Sequence, residues 1–78
     1  MKTGITDREG IELELGDNLK HAITTDRATV VFGNYRGQYG GEENSGFYLK
    51  SMLRKNEFYY SPLTKELANV YQKIRNGK

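Results

Sequence analysis

The 78 residues contain no cysteine and no tryptophan, and only one histidine and one proline. Without cysteine there is no disulfide, no thiolate zinc site and no thiol nucleophile. No apolar run approaches the roughly 20 residues that span a bilayer. The opening Met1-Lys2-Thr3-Gly4-Ile5-Thr6-Asp7 lacks the apolar centre of a secretory signal. The expectation is a cytoplasmic protein with no membrane partner, and one domain over residues 1–78. A chain this short buries only about 60 to 65% of the surface its unfolded form exposes. Either a lean core with one helix on a sheet, or association with a second copy, must make up the difference.

Charge is present in both signs but unevenly placed. Residues 1–46 hold five Lys/Arg and eight Asp/Glu, and residues 47–78 hold seven and two. The acidic first part and basic second part thus carry −3 and +5, for the net +2. A basic half favours polyanions, and it can equally complement the acidic half within or between molecules.

Ile11-Glu12-Leu13-Glu14-Leu15 alternates strictly, the period of a half-buried strand with Ile11, Leu13 and Leu15 inward. Gly16-Asp17-Asn18 then reads as a turn. Residues 19–23 form a weaker strand with Leu19, His21 and Ile23 on one face. After a polar turn at 24–27 comes Ala28-Thr29-Val30-Val31-Phe32, a β-branched and aromatic strand that completes an antiparallel hairpin. Residues 33–46 hold five of the nine glycines among polar residues without strand or helix period. A flexible loop over about 35–46 is expected, its first half pinned by Tyr35 and Tyr39. Phe47-Tyr48-Leu49 and Phe58-Tyr59-Tyr60 read as further strands about a turn at 54–57. Ser61-Pro62 has the form of a helix cap followed by proline at the first helical position. Leu63, Leu67, Val70 and Ile74 then make one apolar stripe, predicting a helix over about 62–75 with Gly77 behind it.

The segment Thr3-Gly4-Ile5-Thr6-Asp7-Arg8-Glu9-Gly10, running into an apolar strand and ending in Gly16-Asp17, resembles the opening signature of YopX-like phage and prophage proteins. Val30-Val31-Phe32-Gly33 and Gly46-Phe47-Tyr48-Leu49 are similar to that family's following strands. Leu67-Ala68-Asn69-Val70-Tyr71 resembles its C-terminal motif, with Ala68 where the family has glycine. The resemblance implies a mostly-β fold of small-barrel character and a mobile-element origin. It implies no activity.

The chemistry-bearing residues fit no catalytic pattern. Glu12 and Glu14 share one strand face, the ordinary outcome of a half-buried strand. His21 lies near Asp17 and Asp26 but beside no nucleophile motif. Gly41 to Gly46 has the interval of a phosphate-binding loop, yet Phe47-Tyr48 follow where Lys and Ser/Thr are required. No enzyme, cofactor, metal or small-molecule substrate is expected.

These features predict a mostly-β (α+β) fold: a small antiparallel SH3-like or partly open β-barrel with a C-terminal helix. The leading functional expectation is a phage- or prophage-derived accessory protein acting by protein–protein interaction or self-assembly. The alternative is a small nucleic-acid-binding module using the basic C-terminal half and the tyrosines, since aromatics interleaved with cations suit single strands. Candidate contact residues for either partner are Arg27, Arg36, Tyr39, Lys50, Arg54, Lys55 and Tyr59.

Overall fold

The computed structural model describes residues 1–24, 26–37, 40–54 and 57–74. Among the described residues seven strands and one short helix follow in the order β1 (Lys2–Thr6), β2 (Glu12–Glu14), β3 (Asn18–His21), β4 (Arg27–Gly37), β5 (Gly40–Arg54), β6 (Glu57–Pro62), α1 (Lys65–Ala68) and β7 (Tyr71–Lys73). All strand pairings are antiparallel. β1 and β2 form a two-stranded sheet, and the other five form a second sheet in the order β6-β5-β4-β3-β7. The mostly-β, antiparallel character is as the sequence predicts. The larger sheet does not close into a barrel: β6 and β7 are its two edges, and no pairing joins them among the described residues.

Alternation decides which face is buried. Leu19, Ala28, Val30, Leu49 and Tyr71 point to one side, where Leu13 of β2, Leu63 and Ala68 of α1 meet them. Leu13, Leu19 and Leu49 are fully buried. Burying each such side chain contributes about 2 kcal/mol. Ile5, Phe47, Leu67 and Val70 pack around this centre. The expected inward face of the first strand is only partly realised: Leu15 is exposed, because the chain turns at Leu15-Gly16. Ile23 is exposed too, because residues 22–24 are a turn rather than strand.

β1 has a weak sequence signature, since only Thr3 and Ile5 turn inward between exposed Lys2, Gly4 and Thr6. A bulge lies between Lys2 and Thr6 in its pairing with β2. The Thr3 hydroxyl closes it, donating to the Leu13 carbonyl at 2.9 Å and accepting the Ile5 N–H at 3.0 Å. The Glu12 carboxylate accepts the Gly4 N–H at 3.1 Å.

Asp7 is a buried charged side chain, 3% exposed. Its Oδ1 accepts the N–H groups of Glu9 and Ile11 at 2.8 and 3.0 Å, which sets the turn between β1 and β2. Its Oδ2 accepts the Lys73 N–H at 2.9 Å, and the Arg8 N–H donates to the Tyr71 carbonyl at 3.0 Å. The small sheet is thereby fastened to β7.

Two expectations are corrected. The helix over 62–75 is one turn, Lys65–Ala68, capped by Thr64 rather than Ser61, with the Thr64 hydroxyl accepting the Leu67 N–H. Ser61 and Pro62 instead end the edge strand β6, where a residue lacking an N–H is tolerated. After Asn69 the chain extends into β7, because β3 offers an unpaired edge and Asp7 an acceptor. The Val70 carbonyl accepts from Ala22 N, and Ile74 N donates to the Asn18 carbonyl. A short helix gains little by propagating against such partners. The loop expected over 35–46 is largely strand: β4 and β5 stay paired from Ala28↔Ser51 out to Gly37↔Gly40. Its tip at 38–39 lies outside the described residues.

Midway along this ribbon Gly33 (φ +149°) stands opposite Gly46 (φ +129°), a backbone conformation that residues with a Cβ rarely adopt. Aromatic pairs clasp the ribbon on both faces of the glycine pair. Tyr35 stacks on Tyr48 (4.4 Å between centroids, 25° between planes), and Phe32 meets Phe47 edge-on at 4.9 Å.

Asp7→Ala, leaving three backbone donors without their acceptor, is expected to lower stability by about 3 kcal/mol in denaturant titration. Asp7→Asn keeps an acceptor for Glu9 and Ile11 but turns an amide donor toward Lys73, so its loss should be smaller and concentrated in hydrogen-exchange protection of 71–73.

Candidate functional site

Packing one side of the five-stranded sheet leaves the other open, and the same alternation determines what that side displays. One row across it is Asn18, Thr29, Lys50 and Tyr60, each paired with the next. A second row joins Gln72, Lys20 and Arg27, with Met52 and Phe58 paired beyond them. A third holds Val31 and Tyr48 opposite Pro62. All of these but Lys20, Gln72 and Pro62 line a groove of about 630 Å³, bounded at the β7 side by Ile74. Arg27 and Lys50 line it, and among the described residues no aspartate or glutamate does.

The rings are held in order. Tyr60 meets Tyr48 edge-on at 5.7 Å, and Tyr48 in turn lies flat on Tyr35. Lys50 Nζ rests 4.5 Å above the Phe58 ring, a cation–π contact. Phe58 and Met52 are each 48% exposed, whereas Tyr48 and Tyr60 are half-buried. A depression on the other side of the molecule, between β1 and α1, is lined by both Lys65 and Glu66 and so carries no net field of one sign.

Of the seven candidate contact residues, the open face brings together Arg27 and Lys50. Arg36 sits on the outer ribbon paired with Glu43, on the opposite alternation from Arg27. Arg54 is on β5 opposite Glu57. Tyr39 and Lys55 lie outside the described residues. Tyr59 is corrected to a core-side position: it pairs with Ser51, the residue between Lys50 and Met52, so it points away from the groove. The Ser51 and Tyr59 hydroxyls instead hydrogen-bond with that of buried Tyr71. Lys20, Tyr48, Phe58 and Tyr60 complete the face. The charge asymmetry and aromatic interleaving pointed toward this surface, but only the strand register separates its residues from Tyr59.

The carboxylates and the histidine have structural partners. Glu12 and Asp17 bind backbone N–H groups of Gly4 and Glu14, and Asp17 also pairs with Lys73 Nζ at 3.2 Å. His21 Nδ1 accepts the Ile23 and Thr24 N–H groups at 3.1 Å, and its ring stands edge-on to Tyr71 at 5.2 Å. Among the described residues no three of His, Cys, Asp and Glu gather closely enough to hold a metal ion.

Burial raises the Tyr71 phenol above its ordinary value of 10.0, and the nearby Tyr59 and Asp26 push the same way while the Ser51 hydrogen bond opposes them. The folded state holds the neutral phenol. Its contribution to stability is therefore complete below about pH 10 and is lost as pH rises through the raised folded value. Urea midpoints should fall more steeply above pH 10 in the parent chain than in Tyr71→Phe, which keeps the ring. Equal slopes would remove Tyr71 as the cause.

Compared with protein-family models, curated proteins and solved structures, the chain matches none.

Proposed function

We propose that this chain is a non-catalytic binding module whose contact surface is the open face of the five-stranded sheet and whose partner is a polyanion. The observation that carries the reading is the groove's lining, which offers Arg27 and Lys50 among exposed and half-buried rings, with no carboxylate among the described residues to oppose them. Cations gathered on one concave face raise the local concentration of anions. The engagement of Glu12, Asp17 and His21 in backbone hydrogen bonds supports a role without general acid–base chemistry. The resemblance of residues 3–17 to YopX-like proteins supports placing the module among phage or prophage accessory proteins, working in the host cytoplasm. Among the described residues no helix is long and apolar enough to cross a membrane.

A second reading is self-assembly along β6. This edge strand ends the larger sheet and carries the exposed ring of Phe58, so a second copy could pair with it.

Two experiments separate these readings. Retention on immobilised heparin should fall steeply with salt, and Arg27→Glu with Lys50→Glu should abolish it at low salt while leaving the circular dichroism unchanged. Parent-like retention in the double variant would sink the polyanion reading. Sedimentation velocity tests the other, and a monomer at every concentration would remove self-assembly.

A further inference from the structure

We infer that the polyanion is a short stretch of single-stranded nucleic acid, its bases laid on Tyr60 and Phe58 and its backbone held by Arg27, Lys50 and Lys20. This rests on the polyanion reading above and adds to it the chemical class of the partner.

Charge alone would suit any polyanion, so the choice depends on what lies between the cations. Tyr60 and Phe58 are two residues apart on β6, on the same side of the sheet. Two residues of strand span about 7 Å. Bases stacked in a duplex repeat at about 3.4 Å along each strand and present only their edges. A duplex therefore cannot lay consecutive bases on both rings. A single strand drawn out so that its bases part by about 7 Å can, with each protein ring meeting one base.

The rings are prepared for this. Tyr60 is kept from collapsing onto the sheet by its edge-on contact with Tyr48, which is itself backed by Tyr35. Phe58 is 48% exposed and holds the Lys50 ammonium 4.5 Å over one face, a position that a flat π-system can take in its place. A base settling there displaces the Lys50 ammonium, which then lies beside the strand's phosphates, with Arg27 across the groove. Lys20, exposed and paired with Arg27, extends the positive track toward β7. An acidic polypeptide would meet the same cations but would leave Phe58 and Tyr60 without flat partners.

The test uses the full chain with four probes: an oligo-dT of about ten nucleotides, a duplex of the same length, heparin and poly-glutamate. With no tryptophan in the sequence, tyrosine emission reports directly on ring stacking. The expected result is quenching by oligo-dT and affinity about tenfold or more above that for the duplex. Phe58→Ala and Tyr60→Ala should each weaken oligo-dT binding about tenfold and heparin binding by a clearly smaller factor. Because Phe58 is 48% exposed, its truncation leaves the core intact. Duplex or poly-glutamate binding as tight as oligo-dT, or Phe58→Ala without effect on oligo-dT, overturns this inference and leaves the polyanion reading standing. No binding of any probe at low salt overturns both.

Discussion

The carboxylate of Asp7 reaches two parts of the chain that no strand pairing connects. One oxygen shapes the turn that lets β1 fold back on β2, and the other holds the backbone of Lys73, 66 residues further on. The two-stranded sheet has little apolar surface of its own, contributing Leu13 and Ile5 to the shared centre. Its position over the larger sheet thus depends on a charged hydrogen-bond hub in a nearly dry setting, where such bonds are stronger than their exposed counterparts. From that placement follows the rest: Leu13 meets Leu19 and Leu49, the inner side of the sheet is sealed, and the outer side is left to solvent.

The Thr-Gly-x-x-Asp-x-x-Gly segment acquires a physical meaning on these terms. Thr3 closes a bulge and Asp7 fastens the sheets, so the segment defines a junction.

The half-buried strands were legible because one face is apolar. Glu12–Glu14 and the β3–β4 hairpin both lie where the sequence alternation places them. The outer ribbon was not legible, because around buried Tyr35 its described residues are glycines and exposed polar side chains that carry no apolar period. The C-terminal stripe misled for a different reason. Leu63, Leu67 and Val70 do pack against the core, as a helix face would, yet the backbone turns after Ala68 and runs on as strand from Tyr71 to satisfy β3 and Asp7. Periodicity reported Leu63, Leu67 and Val70 as inward but not the path that takes them there, and it misplaced Ile74, which borders the open groove. The candidate surface was half legible on the same account. Composition located cations and tyrosines in one stretch, while the separation of Tyr60 from Tyr59 requires the register of β5 against β6.

The closure of β3 by β7 has a kinetic side. β3 is only Asn18–His21, and it lies between a neighbour that follows closely in the chain, β4, and one some fifty residues later, β7. The local hairpin and the β4–β5 ribbon close short loops and should form early, whereas β3–β7 pairing and the Asp7 junction must both close long ones. These late contacts share their far partner, residues 71–73, so they form and break together. Until that strand docks, Leu13 and Leu19 remain accessible to other chains. The period of greatest aggregation risk is therefore the interval before the final strand arrives.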